Sequence, residues 1–477
     1  MHRASGSAGV GARWRAGVVL MLGLSVGGCA SLPRSTTPPA VAETARDRLG
    51  KRVEWVAASG RGDVVRAEIA GLLAQPLGVE DAVQVALLNN RGLQSAFAGL
   101  RVAETDLVQA GRLANPRFST TRTRSGDSFK YETSLALPVL GLLTMPAALG
   151  MERQRVAAVG LEVSDRVLRL AAETRQAYFT AVAAEATVRY LDTAREALDA
   201  TSELAQRMQR VGNLSRLEAL RERAVHMDAA TQLARARVAS VAARERLVRL
   251  LGLTGEQASL RLPAELPGLP AAPAEMPDLE SFALTRRLDL LAARRQAEAT
   301  AASLGLVRAT RFVNVLELGP ATVLEAGEQA KKGYTISIEL PLFDWGDSRV
   351  ARAEAVYMQT LEQVAQVALE ARSEVREAHA AYANEWEVAT RYRDEIVPLR
   401  RTISEEHLLR YNGMLIGVFD LMADARDQIA AAQGYLDALR DFWLAEAALQ
   451  QALGGRLPER PVAPPVSDQP DRKRNGG

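Results

Sequence analysis

Two stretches of the chain change abruptly from one hydrophobic period to another. In the second stretch, apolar side chains from Tyr334 to Leu340 alternate with polar ones, which predicts a β-strand with two different faces. After a break at 341–346, apolar residues recur at spacings of three and four. This spacing predicts a very long helix that packs against another helix as in a coiled coil. The predicted contact positions are Leu361, Val364, Ala368, Ala371, Val375, Ala378 and Tyr382.

The first stretch begins with a predicted β-hairpin. Residues 117–123 are rich in Ser and Thr, and residues 125–127 read Ser-Gly-Asp, which is typical of a turn. From Tyr131 to Leu137 apolar and polar residues alternate, and Pro138 closes the segment. The two strands therefore precede a long helix here as well.

The long helix of the first stretch is predicted over about 148–208, after a short connector that contains Gly141 and Pro146. Near 60 residues rising 1.5 Å each would span roughly 90 Å. No compact domain needs such a helix. A turn at 211–215 and a returning helix at 216–251 complete the predicted unit.

A further helix is predicted before each hairpin. The first runs from Val79 to Gly111, with a gap in its apolar stripe at 89–91. The second covers 279–307 and follows a segment, 263–277, that holds five prolines and is predicted to be a linker.

The second hairpin is predicted at 312–340, and its first strand has the weaker pattern. Gly319-Pro320 and the Lys-Lys-Gly sequence at 331–333 are its predicted turn material. The long helix then runs to a Gly-rich turn at 411–417, and a returning helix extends to Leu453.

The N-terminus has the pattern of a bacterial signal peptide. Arg13 and Arg15 precede a short apolar segment at 18–26, and small residues lead to Cys29, the single cysteine. This ending resembles a lipobox, in which Cys29 becomes the lipid-modified (for example palmitate-bearing) first residue of a lipoprotein. The alternative is an ordinary cleavage site with an incidental cysteine. Ala30 favours the outer membrane, because an Asp there would resemble the inner-membrane retention signal.

An internal duplication explains the recurring order of elements. The segment 131–138 aligns with 334–341, 203 positions later, and Leu251-Gly252 aligns with Leu453-Gly454, 202 positions later. The predicted organisation is a signal peptide at 1–28, a lipid-anchored N-terminal tether or equatorial segment at 29–75, a first repeat at 76–255, a Pro-rich linker or equatorial segment at 256–278, a second repeat at 279–455 and a disordered tail at 456–477.

Composition and charge exclude several function classes. The 477 residues are 48% hydrophobic, and the formal net charge is only +2, so nothing favours nucleic-acid binding. His226, His379 and His407 are each isolated in predicted helix, and no nucleophile elbow, phosphate loop or metal-ligand motif occurs. We therefore expect no enzyme, no cofactor and no metal site. Met414 and Met422 suggest soft-metal passage only weakly, because such residues are more often packing residues.

The predicted strands indicate a wall between lipid and water. Four strands cannot close a barrel alone, and unpaired strand edges are costly in a bilayer. One face is apolar and the other carries Lys130, Glu132 and Glu339, as expected for lipid outside and water inside. The alternative is a soluble four-stranded sheet packed on one side. The lipobox and the length of the helices argue against it.

The chain resembles the TolC-like outer-membrane efflux factors, in their lipoprotein branch. The resemblance is carried by 77–111, by Leu-Pro-Leu-Phe-Asp-Trp-Gly at 340–346 with 349–355, by 410–454 and by the duplication. It implies a mixed α/β, mainly α membrane protein with a coiled-coil-like helical barrel through the periplasm. It also implies a transmembrane β-barrel of four strands from each protomer, twelve in a homotrimer. Such a channel conducts substrates passively and works with a periplasmic adaptor (membrane fusion protein) and an inner-membrane pump.

The same resemblance gives roles to the two turns between helices. Adaptors dock at these tips in the family, which makes the tip residues candidate contacts. Gly212 and Gly413 would allow the positive φ that a helix-ending turn often needs. The alternative is a tight turn without a partner. The candidate contacts are Gly212, Leu214, Leu217, Gly413, Met414 and Leu415.

A pore gate is the last role that the resemblance implies. The family often carries Asp-x-x-Asp at the start of the second returning helix, and Asp420 matches the first Asp. Ala423 replaces the second, and Asp424 lies one residue further on, about 100° away around the helix. A solvated helix face is the alternative for both carboxylates. The cargo, whether drugs, metal ions, lipids or polypeptide, has no sequence signal, and a periplasmic helical lipoprotein acting as adaptor or scaffold is the second function considered.

Overall fold

The computed structural model describes residues 37–274 and 278–457. The predicted signal peptide at 1–28, Cys29 and the tail from residue 458 onward lie outside the described residues. Most of the described chain is helical, and all described strands belong to one sheet.

The first half contains five helices, then a hairpin, then the first pair of long helices. Its elements are α1 Pro39–Leu49, α2 Val56–Ser59, α3 Gly62–Leu73, α4 Val79–Asn89, α5 Arg91–Ala110, β1 Arg117–Ser125, β2 Ser128–Pro138, α6 Val139–Arg210 and α7 Arg216–Leu251. A 3-10 turn, Gly255–Ala258, follows.

The second half repeats this order from α4 onward. Its elements are α8 Leu279–Arg286, α9 Leu288–Ala309, β3 Leu316–Glu325, β4 Lys331–Ile338, α10 Asp347–Arg391, a π-helical turn Tyr392–Ile396, α11 Val397–Asn412 and α12 Val418–Ala452. The long helices α6 and α10–α11 thus each follow a hairpin, as the sequence predicts.

The N-terminal segment, for which the sequence predicts a lipid-anchored tether or an equatorial segment, is helical from Pro39 onward. Pro39 begins α1, because its fixed φ suits the first turn of a helix and its missing N–H is not needed there. Val41, Ala45 and Leu49 are buried in the same core as α4, α6 and α7. Segment 39–73 is therefore part of the packed body.

The helix predicted at 79–111 is broken at Asn90. The Asn90 side chain accepts a hydrogen bond from the Leu93 N–H at 3.0 Å and caps α5. Its side-chain amide donates to the Leu250 carbonyl at 2.9 Å, and that of Asn89 donates to the Gly252 carbonyl at 2.7 Å. The two asparagines in the gap of the apolar stripe thus cap the start of α5 and the end of α7.

The connector predicted around Pro146 is absent. Helix α6 begins at Val139, directly after β2, and continues for 72 residues with Pro146 inside it. Proline removes one backbone hydrogen bond near the start of the helix, which the rest of a helix roughly 110 Å long outweighs. The sheet is therefore joined to the helix without a flexible linker.

The second hairpin also differs from its prediction. Gly319, Pro320 and Lys331 lie inside strands, and the turn falls at 326–330. A Cβ on Gly319 would lie 1.6 Å from the Leu135 carbonyl oxygen, so the close approach of β2 requires glycine there. The glycine marks a close backbone contact and not a turn.

The Pro-rich linker is fixed to the helical body by aromatic side chains. The indole N–H of Trp443 donates to the Pro267 carbonyl at 3.0 Å, and that of Trp386 donates to the Pro270 carbonyl at 3.1 Å. Trp443 also stacks on Phe179, with ring centroids 5.2 Å apart. These contacts join α6 of the first half to α10 and α12 of the second.

Candidate functional site

Most of the large apolar side chains of the sheet lie on one of its faces. Its four strands are antiparallel in the order β1-β2-β3-β4, and residues directly opposite one another share a face. One face carries the large apolar residues Phe118, Tyr131, Leu135, Leu137, Leu318, Pro320, Leu324, Tyr334, Ile336 and Ile338. These side chains are exposed in the protomer; Tyr334 is 77% exposed and Phe118 66%. An apolar face of this extent needs a partner that is not water.

The opposite face holds paired charges. Arg117 contacts Glu317 at 3.3 Å, and Lys130 contacts Glu132 at 2.6 Å. Lys331 contacts Glu325 at 3.2 Å. This face is suited to water, and its charges are balanced across the strands.

Both edges of the sheet are open in the protomer. Within the described ranges, no strand pairs with the outer side of β1 or of β4. Aromatic side chains lie where the sheet meets the helices: Phe343 is 99% exposed and Trp345 is 56% exposed. Among the helices that the structure describes, none has the length and apolar character needed to cross a bilayer.

The two helical hairpins end in the same backbone motif. In the first tip, the Asn213 N–H donates to the Met208 carbonyl at 2.9 Å, and Gly212 has φ 80°. In the second, the Leu415 N–H donates to the Arg410 carbonyl at 2.8 Å, and Met414 has φ 59°. Both are Schellman motifs.

The expected positive φ is thus correct for Gly212 and wrong for Gly413, whose φ is −78°. The equivalent of Gly212 is Met414, 202 residues later, so the shift that relates Leu251 to Leu453 also holds at the tips.

The tip side chains divide into buried and exposed groups. Leu214 is buried and packs with Ala205 and Ala219, with Phe419 of the second hairpin against them. Leu217, Met414 and Leu415 are 58%, 93% and 77% exposed. Only the second group is available to a partner at the tips.

Asp420 is exposed and acts as a helix cap. Its Oδ2 accepts a hydrogen bond from the Gly417 N–H at 3.1 Å. In the first hairpin the Ser215 N–H donates to the Glu218 carboxylate at 2.9 Å. The Glu218 N–H donates to the Ser215 hydroxyl oxygen at 3.2 Å in return. Hydrogen bonding of the Ser215 side chain and backbone N–H to the Glu218 carboxylate lowers the pKa of Glu218. Asp420 and Glu218 are equivalent positions of the two repeats.

Asp424 is buried inside the second hairpin, and its equivalent, Glu222, is buried in the first. The Ser404 hydroxyl of α11 donates to Oδ2 of Asp424. The other carboxylate oxygen of Asp424 lies 3.5 Å from Nδ1 of His407. Asp424 therefore joins α11 to α12, and in the protomer it does not face solvent.

Sequence reasoning missed the partners of both histidines in these hairpins. Nε2 of His226 on α7 contacts the Asp199 carboxylate on α6, and His407 lies beside Asp424. In each pair the two residues lie on neighbouring helices of one hairpin. Predicting these pairs would require the register in which the two helices pack, which the sequence pattern does not give. In the described part of the chain, no cluster of three or more His, Cys, Asp or Glu side chains is arranged to hold a metal ion.

No protein-family model matches the sequence, and no curated protein matches it. Solved structures do match the fold. The outer-membrane channel OprN is 21% identical with a TM-score of 0.67, over 89% of this chain and 97% of that one. The outer membrane protein VceC of Vibrio cholerae is 18% identical with a TM-score of 0.66, over 80% and 97%.

The open state of the MtrE outer membrane channel of Neisseria gonorrhoeae is 20% identical with a TM-score of 0.64, over 80% and 89%. The fold is that of the TolC-like outer-membrane efflux channels.

Proposed function

We propose that the protein is the outer-membrane channel, or exit duct, of a tripartite efflux system. The observation that carries this proposal is the two-faced sheet, which continues directly into one helix roughly 110 Å long and, after residues 339–346, into a second helical run of similar length. A passive conduit needs a lipid-facing wall and an extension into the periplasm, and needs no catalytic group.

The strand lengths agree with a bilayer. Strands β1 to β3 have 9, 11 and 10 residues, within the range of about 9–11 that a tilted transmembrane strand needs, and β4 is one residue shorter at 8. In this arrangement the apolar face contacts lipid, and the paired charges line a water-filled interior. Phe343 and Trp345 lie at the periplasmic interface, where aromatic side chains are favoured.

The open strand edges favour a homotrimer. Pairing β1 of one protomer with β4 of the next would leave no unpaired edge in lipid, and three copies would close a barrel of twelve strands. The helices of the three copies would form the coiled-coil-like barrel in the periplasm.

The anchor and the tips complete the proposal. Lipid on Cys29 would hold the mature N-terminus at the outer membrane. Leu217, Met414 and Leu415, the exposed members of the tips, are the proposed contacts of a periplasmic adaptor, which in turn would meet an inner-membrane pump. Replacing Cys29 with Ser should abolish acylation; persistent lipid labelling would refute that site.

Asp420 is the better of the two proposed gate residues. Three exposed carboxylates around the trimer axis would attract multivalent cations. Asp424 is turned into its own hairpin. We therefore expect Asp420→Ala to weaken the block of conductance by multivalent cations and Asp424→Ala to leave it unchanged. An unchanged block in Asp420→Ala would remove Asp420 from the lumen.

The second function considered is a periplasmic lipoprotein adaptor or scaffold. It requires a water-soluble chain, and the exposed apolar face of the sheet disfavours it. The two are separated by extracting the full chain in detergent, measuring its mass and reconstituting it in planar bilayers. We expect a trimeric mass and stepwise conductance. A monomeric mass without conductance would overturn the channel proposal.

A further inference from the structure

Two arginines on the apolar face of the sheet lack the close carboxylate contacts that cations on the polar face make. On the polar face, Arg117, Lys130 and Lys331 each contact a carboxylate. On the apolar face, in the portion of the chain that the structure covers, Arg122 has no carboxylate within salt-bridge distance, and Arg124 has only Asp127 at 3.8 Å. Both guanidinium groups are exposed in the protomer, so they are free to bind an anion from outside the chain when this face is in contact with lipid.

Aromatic rings hold these two arginines in place. The Arg122 guanidinium lies 3.9 Å from the ring centroid of Phe129 and 5.6 Å from that of Tyr131. The Arg124 guanidinium lies 5.4 Å from the Phe129 centroid, and its Nε donates to the Gly126 carbonyl at 2.9 Å. A guanidinium that stacks by its face keeps N–H donors at its edge for a second partner, and the planar fork of donors matches phosphate.

Their position along the strand fixes the depth of the partner. Arg122 and Arg124 are the last two β1 residues on the apolar face before the turn at Gly126, and Phe118 lies about 14 Å nearer the helices. Cations beyond an apolar band lie at the level of lipid headgroups, as aromatic and basic side chains do at membrane interfaces.

We infer that Arg122 and Arg124, stacked on Phe129 and Tyr131, form a binding site for the phosphate of an outer-leaflet lipid headgroup. This inference rests on the proposed function, since it requires the apolar face to contact lipid with the β1–β2 turn outside. The acyl chains of the same lipid would lie against the apolar residues below, including Phe118 and Leu135.

The test uses the full chain in phosphatidylcholine nanodiscs that contain a minor fraction of diphosphoryl lipid A. Native mass spectrometry measures how much of this glycolipid each trimer retains. The variant Arg122→Gln/Arg124→Gln removes both charges. Arg117→Gln is the matched control, because it removes a charge from the same strand on the opposite face. Arg122→Lys/Arg124→Lys tests whether charge restores retention.

We expect wild type and Arg117→Gln to retain the phosphorylated lipid equally and Arg122→Gln/Arg124→Gln to retain roughly tenfold less. The Lys variant should recover part of the loss, and this recovery would separate lost binding from misfolding. Equal retention by all variants, or an equal loss in Arg117→Gln, would overturn the inference.

Planar-bilayer conductance of the same preparations separates this inference from the proposed function. A wild-type chain that conducts but shows no dependence on Arg122 and Arg124 overturns only the lipid site. A chain that neither inserts nor conducts overturns both.

Discussion

Met414 occupies in the second hairpin tip the backbone position that Gly212 occupies in the first, and both have a positive φ. Outside glycine this conformation costs about 1–2 kcal/mol. The Met414 side chain is 93% exposed, so packing within the protomer does not offset the cost. Strained backbone positions are found mainly at functional sites, which supports the proposal that Met414 contacts a partner.

Replacing Met414 with Gly should therefore stabilise the free tip. Relief of the backbone strain exceeds the extra chain entropy of glycine, which leaves a net gain of about 0.5–1 kcal/mol. The Gly413 N–H, which donates to the Leu409 carbonyl at 3.0 Å and is unchanged in both variants, reports on the tip. Its hydrogen exchange should slow by about two- to fivefold. Leu415→Gly is the control, since residue 415 has no positive φ, and it should speed exchange. Slower exchange in both variants would contradict the strain argument.

Features that depend on residues close together in the sequence were predicted correctly. The helix predicted at 216–251 matches α7, because Ser215 caps its start and Gly252, with φ 66°, ends it. The hairpins and their two faces follow from period-two alternation. The mainly helical fold is confirmed, and so is the resemblance to TolC-like channels.

Features that depend on distant parts of the chain could not be predicted from the sequence. Gly319 reads as a turn glycine, but its role is set by the Leu135 carbonyl of another strand. The positive φ of Met414 has no local signal, since Gly413 beside it is the expected residue. The burial of Asp424 depends on Ser404 and His407 of the opposite helix. The anchor, gate and tip contacts stay predictions.

Gly319→Ala should prevent the sheet from forming. The new Cβ would lie 1.6 Å from the Leu135 carbonyl oxygen, and backbone atoms cannot move aside without separating β2 from β3. We expect a cost of at least about 3 kcal/mol and loss of the chain from the outer-membrane fraction. Gly333→Ala is the matched control, because Gly333 lies in β4 with nothing within 4 Å of the built Cβ. Normal membrane recovery of Gly319→Ala would show that β2 and β3 are not paired in this register.

Glu80→Gln should weaken the body of the protein in a pH-dependent way. Glu80 contacts Arg175 at 3.0 Å, Lys51 at 3.1 Å and Arg456 at 2.7 Å. Burial acts to raise the pKa of Glu80, but Arg175 and Lys51 outweigh it and lower the pKa overall. A lowered carboxyl pKa contributes stability above the unfolded pKa, about 4.3, and this is lost as pH falls through the folded pKa.

The difference in melting temperature between wild type and Glu80→Gln should therefore be full at pH 7 and should shrink below about pH 4. Because the Glu80 side chain is 42% exposed, we expect an effect of only about 1 kcal/mol. Thermal unfolding in detergent, followed by circular dichroism across this range, measures it. A difference that is constant with pH would show that the charge of Glu80 is not the cause.

Gly434→Ala should lower stability although alanine favours helices. The Tyr392 ring, at the start of the π-helical turn, lies over Gly434 of α12, and an added Cβ would come within 2.6 Å of the ring. The ring would have to leave its rotamer or push α12 away, at a cost of about 1–3 kcal/mol. Over most of this range the cost exceeds the gain of about 1 kcal/mol from replacing glycine in a helix.

A double-mutant cycle tests whether the clash with Tyr392 is the cause. Tyr392→Ala removes the ring, so Gly434→Ala should then become neutral or stabilising, with a coupling of about 0.5–3 kcal/mol. Gly305→Ala in α9, with nothing within 4 Å of its built Cβ, is the control and should raise the melting temperature. If Gly434→Ala raised it equally, Tyr392 would not occupy the space over Gly434.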